Sequence, residues 1–127
     1  MKVLTIKQPW ASLIIEGYKE YEFRSWKTNY RGELLIHAGK SIDKEAYKRL
    51  GKYLSNMPLG KIIGKVELLD CIKTTNDFFD ERRKENKDIY SKSIFNEQYA
   101  WKVRVIEEFD KPIEAKGKLG LWNFEKK

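Results

Sequence analysis

"KVLTIKQPWASLIIEGYKEYEFRSW", residues 2–26, changes its hydrophobic rhythm twice. "KVLTI" (2–6) is a short β-rich run. "QPWASLIIEG" (8–17) sets Trp10, Leu13 and Ile14 on one face, with Pro9 in the first turn and Gly17 as the stop, which predicts a helix. After Gly17 the period falls to two: Tyr21, Phe23 and Ser25 are expected on one side, Glu20, Glu22, Arg24 and Trp26 on the other. The first side reads as core. The second reads either as a solvated strand face or as the wall of a pocket.

The rest of the chain continues in short strands. "NYRG" (29–32) is a turn and "ELLIHA" (33–38) the next strand, while Ser41 is the expected N-cap of a helix over 42–54. "NMPLG" (56–60) breaks the chain before a long strand at 61–74, in which Gly64 marks a bulge or bend. Residues 76–93 are polar and charge-balanced, predicting a helix and then a loop. Residues 98–109 alternate as a strand, and 111–125 close the fold with bends at Gly117 and Gly120. Five or six strands, two or three helices and little parallel βαβ rhythm predict one α+β domain over 1–127. The expected architecture is a small mixed β-barrel with a helix after its first strand.

The chain has 127 residues, 35% of them charged, and a net charge of +7. Residues 1–75 hold fourteen basic and eight acidic groups, so the excess is expected there. Such a balance suits a polyanionic partner such as nucleic acid. Cys71 is the only cysteine, which excludes an intrachain disulfide and fits a reducing compartment; in "VELLDCIK" it reads as a buried, inert thiol. No apolar run has the length of a membrane span, and the first ten residues do not read as a signal peptide. A cytoplasmic monomer is the expectation.

Composition argues against several chemistries. One cysteine and one histidine do not make a common zinc site, and this also removes the zinc nucleobase deaminases. Neither a G-x-x-x-x-G-K-[ST] loop nor a G-x-G-x-x-G segment is present. No metal and no cofactor is therefore expected. A Ser-His-Asp triad would have to use His37, whose apolar setting "LLIHAG" favours a structural or ligand-facing role.

"IKQPWASLIIEGYKEYEFRSW", "RGELLIHAGK", "GKIIGKVELLDC" and "AWKVRVIEEFDKPIEAKGKLGLW", in that order, resemble the ASCH (activating signal cointegrator homology) domain. The most specific element is G-x-K-x-x-E-x-R, met by Gly17, Lys19, Glu22 and Arg24. The resemblance implies a PUA-like fold and an association with RNA, as a binding module or a small enzyme. One branch that the chain resembles hydrolyses acetylated cytidine with the motif lysine, a threonine three residues later and a distant glutamate. Here the lysine position is Lys19 and the threonine position holds Glu22. Another branch is ribonuclease-like, but this chain has no histidine pair for acid/base chemistry of the pancreatic type.

The expected ligand-binding set is Lys7, Gln8, Trp10, Lys19, Glu22, Arg24, Trp26 and His37, with RNA or a modified nucleoside as partner. Trp10 and Trp26 would roof a cleft, and Lys7 and Gln8 would sit at a helix start that favours anions. Lys19, Glu22 and Arg24 would engage phosphates or base edges. In the alternative, a small hydrolase, Lys19 and Glu22 would activate a water, with Glu67 as a further carboxylate and 76–93 as a lid. Trp101 and Trp122 read as core.

Overall fold

A computed structural model of the chain describes residues 1–91 and 98–125. The strands are β1 (Lys2–Gln8), β2 (Tyr21–Arg24), β3 (Gly32–Ile42), β4 (Lys61–Lys73), β5 (Tyr99–Glu114) and β6 (Leu121–Asn123). The helices are α1 (Trp10–Ile15), α2 (Lys44–Leu50), which runs on into a 3-10 turn (Gly51–Tyr53), and α3 (Asn76–Glu85). One six-stranded sheet has the order β2-β5-β4-β3-β1-β6. Among the described residues only β1 and β3 run parallel; the other neighbouring pairs are antiparallel.

The mixed α+β class and the helix after the first strand are as expected, but the sheet is not closed. Among the described residues β2 and β6 are its two edges. β6 meets β1 only at Lys2, Val3 and Leu4. Beyond Leu4, the Thr5 carbonyl accepts a hydrogen bond at 2.6 Å from Arg24 Nη2 of the other edge strand. A side chain spans the gap that a barrel would close with backbone pairing.

Three local expectations change with the structure. Asp43, not Ser41, caps α2: its carboxylate accepts from Ala46 N at 3.1 Å, because β3 continues through Ile42. α1 is shorter than residues 8–17, since β1 extends through Gln8. Residues 111–114 belong to β5 rather than to a separate closing segment. Between Glu108 and Ile113 the β5 register advances five residues against two on β4, and Pro112 falls inside that irregularity, where no ladder N–H is required.

The core forms because α1 offers apolar residues on more than one face. Ala11, Ile14 and Ile15 join Leu4, Ile6, Leu34, Ile36, Val66, Leu68 and Trp101 in the main cluster. Leu13 turns the other way, into a second cluster with Tyr21, Ala46, Leu50 and Tyr90. Gly64 permits the close seat of α1 on β4: a Cβ there would lie 2.7 Å from Ile15 Cδ1 and 2.6 Å from the Glu107 carbonyl. Trp101 and Trp122 are both buried, and Cys71 is half-buried rather than buried. No helix among the described residues is long and apolar enough to cross a membrane.

Candidate functional site

The G-x-K-x-x-E-x-R segment is assembled by the exit from α1. Gly17 takes φ +88°, a left-handed conformation that side-chain-bearing residues rarely adopt. The amides of Tyr18 and Lys19 then both turn back to the Leu13 carbonyl, at 2.9 and 3.1 Å. This reversal brings Lys19 over the start of the helix it has just left. Its Nζ lies 4.4 Å from the Trp10 ring centroid and 5.0 Å from that of Phe23. Both ring faces are favourable partners for an ammonium ion.

Glu22 sits between two cations. Its Oε1 is 3.6 Å from Lys19 Nζ and its Oε2 is 3.1 Å from Arg24 Nε. The Arg24 Nε contact falls outside hydrogen-bond geometry, so it is an ion pair, while Nη2 of the same guanidinium makes the bond to Thr5. Lys19 and Glu22 are buried, and the Arg24 side chain is 23% exposed. A solvated strand face would leave such groups in water. The strand is short, and the expected two-sided division holds in part. Tyr21 and Phe23 join the second core cluster and Glu22, Arg24 and Trp26 line the cleft, but Phe23 also lies under Lys19 and Ser25 is exposed.

These groups open onto a cleft of about 1600 Å³. Lys7, Trp10, Lys19, Glu22, Arg24, Trp26 and His37 all line it. Trp10, one of the lining residues, is fixed by its indole N–H, which donates to Asp43 Oδ2 at 3.2 Å. Trp26 packs edge-on against Trp101, with ring centroids 4.7 Å apart, and remains half-buried.

Gln8 does not reach the cleft. It is fully buried, its Oε1 accepting from Ser12 N and its Nε2 donating to Ser12 Oγ and the Pro58 carbonyl. It ties the first turn of α1 to the chain before β4. Glu67 is also elsewhere: it pairs with Arg104, its cross-strand neighbour, and does not line the cleft. α3 packs Phe78 and Phe79 against Tyr21 and Phe23 and lines no part of the cleft, whereas Ile89 and Tyr90, farther along 76–93, do line it. The later part of 76–93 includes residues outside the described ones.

His37 lines the cleft but is 2% exposed, and both ring nitrogens are engaged. Nε2 lies 2.7 Å from the Ala115 carbonyl, which can only accept, so Nε2 carries the proton. Nδ1 is then the acceptor for the Thr5 hydroxyl at 3.2 Å. Thr5 Oγ1 in turn accepts from Trp122 Nε1 at 3.0 Å. Thr5 is therefore a junction: its carbonyl holds Arg24 and its hydroxyl holds His37 and Trp122.

The sequence carried no signal for Thr5, because its role depends on three partners brought from distant segments. It also hid part of the charge. The cleft lining contains eight Lys and Arg against four Asp and Glu, and Lys116 and Lys118 come from the nearly neutral last quarter of the chain. Among the described residues, no group of three or more His, Cys, Asp or Glu is placed to hold a metal ion.

The family model described as ASCH domain matches residues 4–113. Activating signal cointegrator 1 from Mus musculus and that from Homo sapiens are each 38% identical over 81 residues, covering 54% of this chain. The match spans only 14% of the length of either relative. The crystal structure of ASCH from Zymomonas mobilis superposes with a TM-score of 0.62 over 98% of this chain and 87% of that one, at 15% identity. A point mutant of the same protein gives 0.63, with 98% and 88% covered, also at 15% identity. These structures share the fold. With the family model matched over most of its length, the chain belongs to the ASCH domain family.

Proposed function

We propose that the chain binds single-stranded RNA, holding one unpaired base at Lys19, Glu22 and Arg24. The supporting observation is the buried Glu22 carboxylate, set between two cations and beside the Trp10 and Phe23 rings at a basic cleft. A carboxylate fixed in this way accepts from the exocyclic amine of a base, while the cations engage its carbonyl or a phosphate. The aromatic rings offer stacking surface that tolerates any base. Membership of the ASCH family, whose resemblance implies RNA, supports the same reading.

Fluorescence anisotropy with a labelled single-stranded RNA tests it. If about three phosphates are neutralised, log affinity against log salt has a slope near −2. Lys19→Ala is expected to weaken binding about tenfold, the equivalent of one contact of roughly 1.5 kcal/mol. Binding that is insensitive to salt and unchanged in the Lys19 and Arg24 variants would overturn the reading.

The 3.6 Å approach of Lys19 and Glu22 favours a second reading, a hydrolase acting on acetylated cytidine. The pair would activate a water for attack on the acetyl carbonyl, and the amide bond would break to give cytidine and acetate. Chromatography of acetylated cytidine after incubation checks this. Release of cytidine by the wild type and not by Lys19→Ala supports the reading, and no release by the wild type ends it.

A further inference from the structure

We propose that residues 115–119, between β5 and β6, form a second wall that grips the backbone of the same RNA strand, making the ligand an oligonucleotide rather than a free nucleoside. This rests on the RNA-binding reading and extends it to a part of the cleft remote in sequence from the motif.

The first observation is size. A cleft of about 1600 Å³ exceeds the roughly 300–1,000 Å³ typical of pockets for one small ligand. A single nucleoside at Glu22 would leave much of it empty. The second is charge. Lys40, Lys61, Lys116 and Lys118 line the cleft away from the motif, and among the described residues none of the four forms an ion pair. Three of them are exposed and Lys61 is half-exposed. Lysines grouped without carboxylate partners suit a row of phosphates.

The third observation is that the segment is built in place. His37 Nε2 donates to the Ala115 carbonyl, and Ala115 N donates to the Gly60 carbonyl at 3.3 Å. Gly117 lies so close to the buried ring that a Cβ would be 2.9 Å from His37 Cε1 and 3.0 Å from Thr5 Oγ1. Lys116 and Lys118 flank this anchored glycine, and Leu119 follows, 97% exposed and lining the same cleft. An apolar side chain held out beside two lysines suits the face of a base whose phosphates those lysines hold. Thr5 links the two walls, since it also holds Arg24.

The test compares a nucleoside monophosphate with single-stranded RNAs of two to eight nucleotides, using wild type, Lys116→Gln/Lys118→Gln, Leu119→Ser, Gly117→Ala and Arg24→Ala. The expected result for wild type is affinity that rises with length. The double lysine variant should lose about tenfold for the octamer, flatten the salt slope by about 1.4, and leave the monophosphate unchanged, as two fewer phosphate contacts require. Leu119→Ser should weaken the octamer several-fold without altering the slope. Gly117→Ala, which displaces the segment, should act like the double variant, with retained melting behaviour showing that the domain is intact. Octamer binding lost in Arg24→Ala but unchanged in the 116/118, 119 and 117 variants would overturn the second wall and leave the motif reading standing. No RNA binding by wild type would overturn both.

Discussion

Removing the Arg24 side chain tests whether the charges on β2 form a built site. Arg24→Ala deletes the 3.1 Å ion pair with Glu22 and the 2.6 Å bond to the Thr5 carbonyl. At an effective dielectric constant of 20, two unit charges 3.1 Å apart interact by roughly 5 kcal/mol before desolvation is subtracted. The net value is smaller, because burying the carboxylate offsets much of it. The charge-assisted bond to Thr5 contributes about 1.5–3 kcal/mol. Glu22 still has Lys19 Nζ at 3.6 Å and so keeps part of its compensation. A loss of about 2–4 kcal/mol in stability follows. For a 127-residue domain, with entropy near 2.1 cal/mol/K per residue, each kcal/mol shifts Tm by about 4 °C. The expected fall is thus roughly 8–15 °C by differential scanning calorimetry. Arg24→Lys keeps the charge but lacks the planar fork that reaches Glu22 and Thr5 together, so about half the loss should remain. Arg24→Ala melting within 2 °C of wild type would show that the contacts contribute little and that the reasoning about a compensated buried carboxylate is wrong.

Thr5→Val preserves shape but leaves Trp122 Nε1 and His37 Nδ1 without their shared hydroxyl; destabilisation of about 1–3 kcal/mol is expected in urea unfolding, and a neutral result would refute the junction. Gly64→Ala should cost about 1–3 kcal/mol by the same assay, since its methyl would press on Ile15 and the Glu107 carbonyl. Burial, the strongest of the influences on Tyr90, disfavours its phenolate and pushes its pKa up to about 12. Its folded pKa lies above its unfolded value near 10, so its contribution is intact below pH 10 and is lost as pH rises toward 12. Tyr90→Phe should lessen the alkaline decline in Tm over that window by the equivalent of about 2–3 kcal/mol; identical pH profiles would count against it.

What the sequence made legible was local. Lys19, Glu22 and Arg24 lie within eight residues of Gly17, so one helix exit and one short strand suffice to bring them together. The helix between the first two strands was visible for the same reason: its apolar spacing and its stop fall within ten positions. The positions that depend on distant register were not legible. Gln8 read as an anion-facing residue because its partner, the Pro58 carbonyl, lies fifty residues away. Glu67 read as a possible cleft carboxylate because periodicity does not reveal that Arg104 stands opposite. The glycines near the C-terminus read only as bends, although Gly117 is needed for its approach to His37. Closure into a barrel failed as an expectation because strand number alone does not fix whether the edges meet.

The place of β2 in the sheet also sets an order of events in time. Among the described residues its one sheet neighbour is β5, and Glu22 lies opposite Trp101, nearly eighty residues later. Pairing over such a separation carries a large loop-closure cost before any contact compensates it, which slows folding. On a ribosome that releases the chain from its N-terminus, the segment carrying Lys19, Glu22 and Arg24 would be synthesised before β5 and lack its sheet partner until β5 emerges. The strand that carries the motif is made well before the strand that seats it.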